Sequence, residues 1–339
     1  MRIVALSHIF PPAVDGGSQI VYNLCKNLEK QGNNIFYFSS GLNSTDDFTK
    51  NNLFKIFRKL GLPVGPFLSL NTLFQIVKIK PDWIISGPLP TTIIFYTRLL
   101  QIITKSKVLF IPCFHENDKS FNKNYFLNLL RHFHLWVFTK HEKKLLSTYS
   151  DNIIQHFPGI EKTFLIKNPK IKANKSPTKL LFLGNFSQHK GIIQLIHSLK
   201  FLPKNYTLTI CGQKTLHYKE ILIEKINNVK IIAKKYNKLQ EKRLIDTHDV
   251  LVLPSIHESF GLVLIEAMAR NKPVVALDIP TTRELINKTE GGVLAKSQSP
   301  KDIANAILDS KTTSGYKYVK ENCTWDTISI WLNEYLQSH

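Results

Sequence analysis

The sequence predicts an α/β protein made of two doubly wound domains. Short apolar runs typical of buried strands alternate with stretches of helical spacing, first over residues 1–170 and again over residues 171–320. The chain of 339 residues is long enough for two such domains. A polar stretch at residues 170–177 is interpreted as the linker between them. The last residues, 321–339, have aromatic and helical character, and we expect this helix to pack back toward the N-terminal domain.

The first series begins with a strand–helix–strand unit. A strand is predicted at residues 3–6, a helix from about residue 19 to residue 30, and a second strand at residues 35–38. Gly16 and Gly17 lie in the turn before the helix, where a glycine backbone can approach a phosphate at a helix N-terminus. A plain tight turn explains the pair equally well. Because the spacing is not Gly-x-Gly-x-x-Gly, we do not predict a dinucleotide site.

The rest of the first series is less regular. Strands are predicted at residues 83–86, 108–111 and 152–154, and a helix at residues 126–137 that is flanked by lysines and histidines. We interpret those basic residues as a solvated face rather than a metal site. His115 follows the second of these strands, at the position where open α/β sheets bind ligands, although a lone histidine there is more often structural.

The second series has a clearer pattern. Strands are predicted at residues 180–183, 207–211, 229–233, 249–253, 273–277 and 291–294, and helices at residues 192–199, 262–270 and 300–308. After the first of these strands comes a loop that begins and ends with glycine and contains Lys190.

Glu258 and Glu266 form the candidate site of the second series. Glu258 lies in the loop after a predicted strand and Glu266 lies inside the following helix, so both can line one cleft. The N-terminus of that helix has N–H groups that suit a phosphate. A phosphate flanked by two carboxylates that bind hydroxyl groups describes a nucleotide sugar. The alternative is a surface Glu258 and a capping or solvated Glu266.

The formal net charge of +20 indicates an anionic partner or a bias in composition. The candidate partners are an anionic membrane surface, a polyanionic substrate and nucleic acid, and the bias is a richness in Lys, Asn and Ile that AT-rich coding produces. The basic residues are scattered and form no recognition motif, so we expect no nucleic-acid partner. Residues 52–60 are predicted as a basic amphipathic helix that suits a membrane surface, or else packs as an ordinary surface helix.

Cysteine usage and hydropathy predict a cytoplasmic protein. The four cysteines are far apart and form no Cys-x-x-Cys pair, which argues against zinc and against a disulfide framework. The first residues do not resemble a signal peptide, and no apolar run reaches the roughly 18 residues of a membrane span. We therefore expect a cytoplasmic location, either free or peripheral on the inner face of the cell membrane.

Taken together, the motifs resemble the GT-B glycosyltransferases, close to the large retaining family 4, over nearly the whole chain. The resemblance rests on four features in order: Gly16-Gly17 after the first strand, the loop 184–191 with Lys190, the stretch 254–267 with both glutamates, and residues 272–275 with Glu284 after them. It implies two Rossmann-like domains that face an interdomain cleft, the first for the acceptor and the second for the nucleotide sugar.

The resemblance also implies a role for each matching residue. Lys190 would contact the donor diphosphate, Glu258 the hydroxyl groups of the donor sugar, and Glu266 the ribose hydroxyls. His115 would lie beside the reaction centre and would form the catalytic set with Lys190 and Glu258. The implied donor-binding residues are Gly16, Gly17, Asn185, Lys190, Glu258, Ser259, Phe260, Gly261, Leu262 and Glu266.

Asn185 departs from the pattern of the family. Similar enzymes usually carry an arginine at this place, paired with the lysine on the diphosphate. Asn185 can donate a hydrogen bond but has no charge. A weakened activity is therefore one of the alternatives.

The implied chemistry needs neither a metal nor another cofactor. The sequence contains no Asp-x-Asp run that would bridge a metal to the diphosphate. The negative charge of the leaving group would be met by Lys190 and helix N-termini. Retaining transfer in this family proceeds on the front face of the donor, where a donor phosphate oxygen helps to take the acceptor proton. Glu258 as a covalent nucleophile is the alternative.

We therefore predict a retaining glycosyltransferase that moves a hexosyl group from a nucleotide-diphosphate sugar to a cell-surface glycan or lipid-linked acceptor, in polysaccharide, lipopolysaccharide or glycolipid biosynthesis. The alternatives are the same donor chemistry on a soluble acceptor, a catalytically weak nucleotide-sugar-binding relative, and a glycosidase with two carboxylates. A glycosidase leaves Lys190 and the glycine pair without a role. The sequence specifies neither the base and sugar of the donor nor the acceptor and linkage.

Overall fold

The computed structural model describes residues 1–10, 16–39, 68–88, 91–114, 127–167, 178–215, 228–234, 236–310 and 315–339. The predicted helix at residues 52–60, His115 and the predicted linker at residues 170–177 lie outside the described residues. By its internal contacts the chain divides into two compact units, Met1–Gly159 with Trp325–His339 and Ile160–Thr324. Each unit contains a six-stranded parallel sheet with flanking helices, so the predicted α/β alternation is confirmed.

The first unit is built around strands whose apolar residues are buried. Its strands are β1 (Arg2–Ser7), β2 (Asn34–Ser39), β3 (Trp83–Ser86), β4 (Lys107–Phe110), β5 (His134–Val137) and β6 (Ile153–Gln155). Its helices include α1 (Gly16–Lys30), α2 (Leu70–Ile79), α3 (Thr91–Thr104) and α4 (Lys140–Leu146). The strands pair in the order β2-β1-β3-β4-β5-β6. All four residues of β3 are buried, as is typical of a parallel sheet covered on both faces.

The second unit has a sheet whose strand order reverses at its centre. Its strands are β7 (Lys179–Leu183), β8 (Thr207–Cys211), β9 (Val229–Ile232), β10 (Val250–Leu253), β11 (Val274–Leu277) and β12 (Gly292–Ala295). Its described helices are α5 (Ile192–Ser198), α6 (Lys238–Thr247), α7 (Leu262–Ala269), α8 (Pro280–Thr289), α9 (Pro300–Asp309) and α10 (Tyr316–Asn322). The order β12-β11-β10-β7-β8-β9 places β7 beside β10. Doubly wound sheets bind ligands at such a switch point, outside the carboxyl ends of the strands.

The C-terminal helix α11 (Trp325–Ser338) belongs to the first unit. It buries Ile328 and Leu332, and side chains of the first unit bond to it. The indole Nε1 of Trp83 donates to the carbonyl oxygen of Leu336 at 3.1 Å. These contacts extend the core of the first unit to the last residues of the chain.

The predicted helix at residues 126–137 is wrong. Within the described part of this range, Leu127 is helical, Asn128–His132 form a short 3-10 helix, and His134–Val137 form strand β5, which pairs with both β4 and β6. The side chain of Trp136 is fully buried and its Nε1 donates to the carbonyl oxygen of His156 at 2.9 Å. A short apolar run fits a buried strand as well as a helix, and here the two neighbouring strands decide the outcome.

Among the described residues, no helix combines the length and the apolar character needed to cross a bilayer.

Candidate functional site

The candidate site lies where β7 and β10 end side by side in the second unit. Leu180 pairs with Val250 and Leu181 with Leu251, so the loops that follow the two strands leave the same edge of the sheet. The first loop contains Asn185 and Lys190, and the second leads to helix α7. The switch point therefore brings together two stretches that are far apart in the sequence.

The two loops are joined by backbone contacts. The N–H of Ile256 donates to the carbonyl oxygen of His189 at 2.9 Å. Gly191, with φ of +66°, lies so close to the second loop that a Cβ atom would approach the carbonyl oxygen of Pro254 to 2.5 Å. That same oxygen accepts a hydrogen bond from Nε2 of Gln298 at 2.8 Å. Glycine is therefore required at position 191 both by the dihedral angle and by the space.

Lys190 and Glu258 meet across this junction. The distance from Nζ of Lys190 to Oε1 of Glu258 is 2.5 Å, and the two side chains are 18% and 10% exposed. A charge-assisted hydrogen bond of this kind is favourable where water is scarce. The structure thus places next to each other the two residues that the resemblance assigned to the diphosphate and to the sugar.

Helix α7 begins immediately after Gly261, at the end of the loop that contains Glu258. Gly261 has φ of +83°, a left-handed conformation that suits glycine, and Leu262 is the first helical residue. Ser259 is partly exposed, whereas the ring of Phe260 is 2% exposed and belongs to the core. The positive end of the helix dipole therefore lies at the end of the loop that contains Glu258, which favours an anion there.

Glu266 is buried inside α7 and is held by a lysine. It is 5% exposed, and its Oε1 lies 2.5 Å from Nζ of Lys238 in helix α6. The same ammonium lies 2.9 Å from Oε2 of Glu241. Burial by itself would raise the pKa of Glu266, but Lys238 and the hydrogen bonds lower it below its ordinary value. Glu266 is therefore an ionised, buried carboxylate in the described structure, and the solvated or capping alternative does not describe it.

Sequence reasoning missed Lys238 and Glu241. A helix start was visible there, since Asn237 and Gln240 form a capping box and the two charged residues stand three apart. Nothing local connects this helix with Glu266, which lies 28 residues farther along the chain than Lys238.

Asn185 lies at the start of the first loop and is exposed. It follows Gly184, and its carbonyl oxygen accepts the N–H of Ser187 at 2.9 Å. The residue is therefore exposed to solvent at the switch point, at the place where the resemblance led us to expect an arginine.

The glycine pair of the first unit lies inside the helix rather than before it. Helix α1 begins at Gly16, about three residues earlier than predicted. A Cβ atom on Gly17 would lie 2.5 Å from Cγ of Pro88, whereas a Cβ atom on Gly16 would have nothing within 4 Å. Packing against the end of β3 thus requires glycine at position 17 only.

His115 lies outside the described residues, but the residue before it is anchored. The N–H of Phe114 donates to Oε1 of Glu142 at 2.9 Å, and the N–H of Phe138 donates to Oε2 at 2.8 Å. Glu142 is 2% exposed. Burial raises the pKa of its carboxyl group to about 7, although the two N–H donors lower it. The sequence analysis did not single out this acid, which fastens the chain after β4 to the end of β5.

Within the ranges that the structure describes, no group of three or more His, Cys, Asp and Glu residues could hold a metal ion.

Comparison with known proteins identifies the family that the second unit resembles. Residues 165–316 match the family of glycosyl transferases group 1. An uncharacterized 41.2 kDa protein in the cps region of Klebsiella pneumoniae is 30% identical over 156 residues, which are 45% of this chain and 42% of that protein. The O-antigen chain mannosyltransferase RfbU of Salmonella typhimurium is 31% identical over 147 residues, 42% of this chain and 40% of that protein. The matches therefore span about two fifths of the length of these curated relatives.

Solved structures resemble the chain over its whole length. HepE of Anabaena in complex with UDP-glucose has a TM-score of 0.74 at 16% identity, and all of both chains is covered. The lipopolysaccharide outer core galactosyltransferase WaaB in its apo form has a TM-score of 0.73 at 14% identity, again with full coverage of both chains. At such identities the likeness shows the fold. The predicted two-domain α/β fold of the GT-B type is thereby confirmed, and residues 165–316 match the group 1 glycosyl transferases.

Proposed function

We propose that this protein is a retaining glycosyltransferase of family 4 that transfers a hexosyl group from a nucleotide-diphosphate sugar. The observation that supports this most strongly is the meeting of Lys190 with Glu258 at the switch point of the second sheet, at 2.5 Å. The N-terminus of α7 follows directly, and the ionised Glu266 lies within that helix. A cation, a helix N-terminus and two carboxylates suit a diphosphate that is flanked by two sets of hydroxyl groups.

In the proposed reaction these groups bind the donor and stabilise its leaving group. The donor diphosphate lies at the N-terminus of α7 and accepts hydrogen bonds from the backbone and from Lys190. Glu258 then accepts hydrogen bonds from hydroxyl groups of the sugar, and Glu266 accepts hydrogen bonds from the hydroxyl groups of the ribose. As the glycosidic bond breaks, negative charge grows on the diphosphate, and the ammonium of Lys190 opposes it.

The proposed reaction has no covalent enzyme intermediate. The acceptor attacks on the face from which the diphosphate leaves, and a phosphate oxygen of the donor takes the acceptor proton. We propose that no metal or other cofactor takes part. The roles of His115, Gly16 and Gly17 stay predictions that rest on the resemblance.

The proposed donor is a UDP-hexose and the proposed acceptor is a cell-surface glycan or a lipid-linked precursor. Two similar proteins support this proposal, namely HepE of Anabaena, which binds UDP-glucose, and RfbU of Salmonella typhimurium, an O-antigen chain mannosyltransferase. A soluble acceptor and a catalytically weak relative with Asn185 are the competing proposals.

Exposed apolar residues on α2 support a peripheral position on the inner face of the cell membrane. Leu70 is 85% exposed and Phe74 is 58% exposed, and Nζ of Lys78 lies 4.5 Å from the ring centre of Phe74. Apolar side chains beside a lysine suit an anionic bilayer surface, and the net charge of +20 adds a general attraction.

A donor screen tests the proposed activity. Purified protein is incubated with UDP-, GDP- and ADP-hexoses and with lipid-linked or soluble glycan acceptors, and the released nucleoside diphosphate is measured. Acceptor-dependent release from one donor is expected, and it should be lost in Glu266→Ala. Binding of a nucleoside diphosphate without turnover would favour the weak relative, and no binding at all would exclude the proposed function.

A sedimentation assay tests the membrane proposal separately. We expect the protein to sediment with vesicles that contain an anionic lipid at low salt, and Phe74→Ser to reduce the bound fraction. Equal recovery in the supernatant with anionic and with neutral vesicles would contradict the proposal.

A further inference from the structure

Lys238 is the first residue of helix α6. Asn237 caps this helix, so the backbone of Lys238, from which the side chain extends, has a well-defined position. Its Nζ lies 2.5 Å from Oε1 of Glu266 and 2.9 Å from Oε2 of Glu241. One cation therefore bridges two carboxyl groups from two helices.

In this cluster, defined as Lys238, Glu241 and Glu266, the two carboxyl groups are shielded from water, whereas the side chain of Lys238 is 37% exposed. Glu241 and Glu266 are 4% and 5% exposed, and Nζ of Lys238 lies 5.5 Å from the ring centre of Phe164. Two ionised carboxylates beside a single ammonium would leave an uncompensated buried charge, which is unfavourable.

The directions of the pKa shifts indicate how the cluster balances its charge. Burial and the neighbouring Glu266 raise the pKa of Glu241 well above its ordinary value. Burial would lower the pKa of Lys238, but the two carboxyl groups outweigh it and raise that pKa. The pKa of Glu266 is lowered despite its burial. These directions favour the proton of the pair on Glu241 and the negative charge on Glu266, beside the ammonium of Lys238.

The charge state of Glu266 matters for the hydroxyl groups that it would bind. An ionised carboxylate only accepts hydrogen bonds, and both of its oxygens can accept from the two hydroxyl groups of a ribose. A neutral carboxyl group carries a proton on one of its oxygens, so it can accept fewer hydrogen bonds. Without Lys238, two buried acids would face each other with no cation, and each would be driven toward its neutral form.

We propose that Lys238 is a positioning residue for nucleotide binding, which holds Glu266 ionised and oriented to accept the ribose hydroxyls of the donor. This inference rests on the proposed function, because it assigns a supporting group to the ribose site of that function. Lys238 acts through Glu266 and needs no contact of its own with the diphosphate.

The test compares ribose with 2′-deoxyribose. Calorimetry gives the Kd of UDP, GDP and ADP and of the 2′-deoxy form of each, for the wild type and for Lys238→Met. We expect the wild type to prefer the ribonucleotide of its base by about tenfold or more, since a hydroxyl on a charged acceptor contributes that much. Lys238→Met is expected to bind the same ribonucleotide about tenfold more weakly and to lose most of the preference.

Lys242→Met is the matched control. Lys242 lies in the same helix, but its ammonium donates to the carbonyl oxygen of Thr163 at 2.6 Å and is exposed. The chemical change is the same, so a loss of preference that is specific to Lys238→Met identifies the bridge to Glu266 as its cause.

Two more variants separate binding from folding. Lys238→Arg keeps the charge and is expected to recover most of the ribose preference. The double variant Lys238→Met with Glu241→Leu removes the bridge together with its second carboxyl group, so one buried acid is left instead of two that face each other. We expect this double variant to melt at a higher temperature than Lys238→Met and still to lack the preference.

The possible results separate the inference from the function on which it rests. A wild type that prefers ribonucleotides, together with a Lys238→Met variant that keeps this preference or binds more tightly, overturns the role of Lys238 and leaves the proposed function standing. A wild type that binds none of the nucleotides overturns the proposed function and this inference with it.

Discussion

The carboxyl edges of the two sheets differ in what holds their loops together. In the second unit, charged side chains meet in pairs, Lys190 with Glu258 and Lys238 with Glu266. Each pair leaves at least one partly exposed side chain, with 18% exposure for Lys190 and 37% for Lys238. In both pairs the carboxylate is shielded from solvent more than the ammonium is.

The described contacts at the edge of the first unit are of another kind. Gly17 lies against Pro88, and the buried Glu142 accepts N–H groups of Phe114 and Phe138. In these two hydrogen bonds the partners of Glu142 are backbone N–H groups of its own unit, and neither partner is an exposed side chain. In the second unit the charged side chains meet one another at the proposed donor site, whereas in the first unit a buried charged residue fixes the chain itself.

The largest effect that would test this comparison is expected at Lys190. Lys190→Met removes the cation that would oppose the charge of the leaving diphosphate. We expect kcat for acceptor-dependent diphosphate release to fall about 10²–10³-fold, as is found when one electrostatic stabiliser is removed. Lys200→Met, an exposed lysine of the same unit, is the control. An unchanged kcat in Lys190→Met would show that the second edge does not use its charge in this way.

The next effect concerns the pH dependence of stability in the first unit. Burial raises the pKa of Glu142 from its ordinary value of 4.5 to about 7 in the folded chain, so the folded state binds more protons between these pH values. The unfolding free energy contributed by Glu142 is therefore highest below about pH 4.5 and falls as the pH rises to 7, by about 3 kcal/mol. The amide group of the Glu142→Gln variant does not titrate, so the unfolding free energy of this variant should lack this decrease with pH.

Tryptophan fluorescence measures this effect for the first unit alone. All four tryptophans, Trp83, Trp136, Trp325 and Trp331, lie in that unit. Urea unfolding at pH 5 and pH 8 should show a larger loss for the wild type than for Glu142→Gln. Equal losses would mean that Glu142 is not buried as a neutral acid.

A smaller effect is expected at the glycine pair. Gly17→Ala places a Cβ atom 2.5 Å from Cγ of Pro88 and should lower the unfolding free energy by about 1–3 kcal/mol. Gly16→Ala meets nothing within 4 Å and is the matched control, with little change or a slight gain from helix propensity. The same fluorescence measurement compares both variants. Equal stability of the two would contradict the close packing of α1 on the end of β3.

The smallest effect is expected at Asn185. Asn185→Arg adds an exposed charge at the switch point, which should tighten the binding of a nucleoside diphosphate by up to about fivefold. Asn185→Gln keeps the amide and serves as the control. Calorimetry at low and high salt measures the difference, which should shrink as salt screens the charge. Weaker binding by the arginine variant would show that the diphosphate lies elsewhere.

The strands of the second unit could be predicted closely because most are short, mainly apolar runs between polar loops. The run 250–253 is an example, since all four residues are buried in β10. Strand β5 could not be predicted, because residues 126–137 contain no Gly or Pro that would separate a strand from the apolar residues before it, and pairing with β4 and β6 decides the outcome.

The candidate site divides in the same way. The motif around Lys190 and the pair of glutamates were visible in the sequence, and so was the helix that follows Glu258. Their partners were not visible, because Lys238 and Glu241 belong to an ordinary capped helix when read locally. Glu142 was hidden for the same reason, since its role depends on backbone groups from two other elements.

By itself, the sequence determined the alternation of strands and helices, the glycines that open tight turns, and the carboxylates that follow a strand. These are local properties of spacing and backbone freedom. Only the tertiary structure decided which charges meet, because the strand order sets β7 beside β10. Because these strands are adjacent, Lys190 lies next to Glu258, which is 68 residues away in the sequence. The fold likewise places the ammonium group of Lys238 beside Glu266. Long-range pairing of this kind depends on burial and sheet topology, which no single stretch of sequence contains.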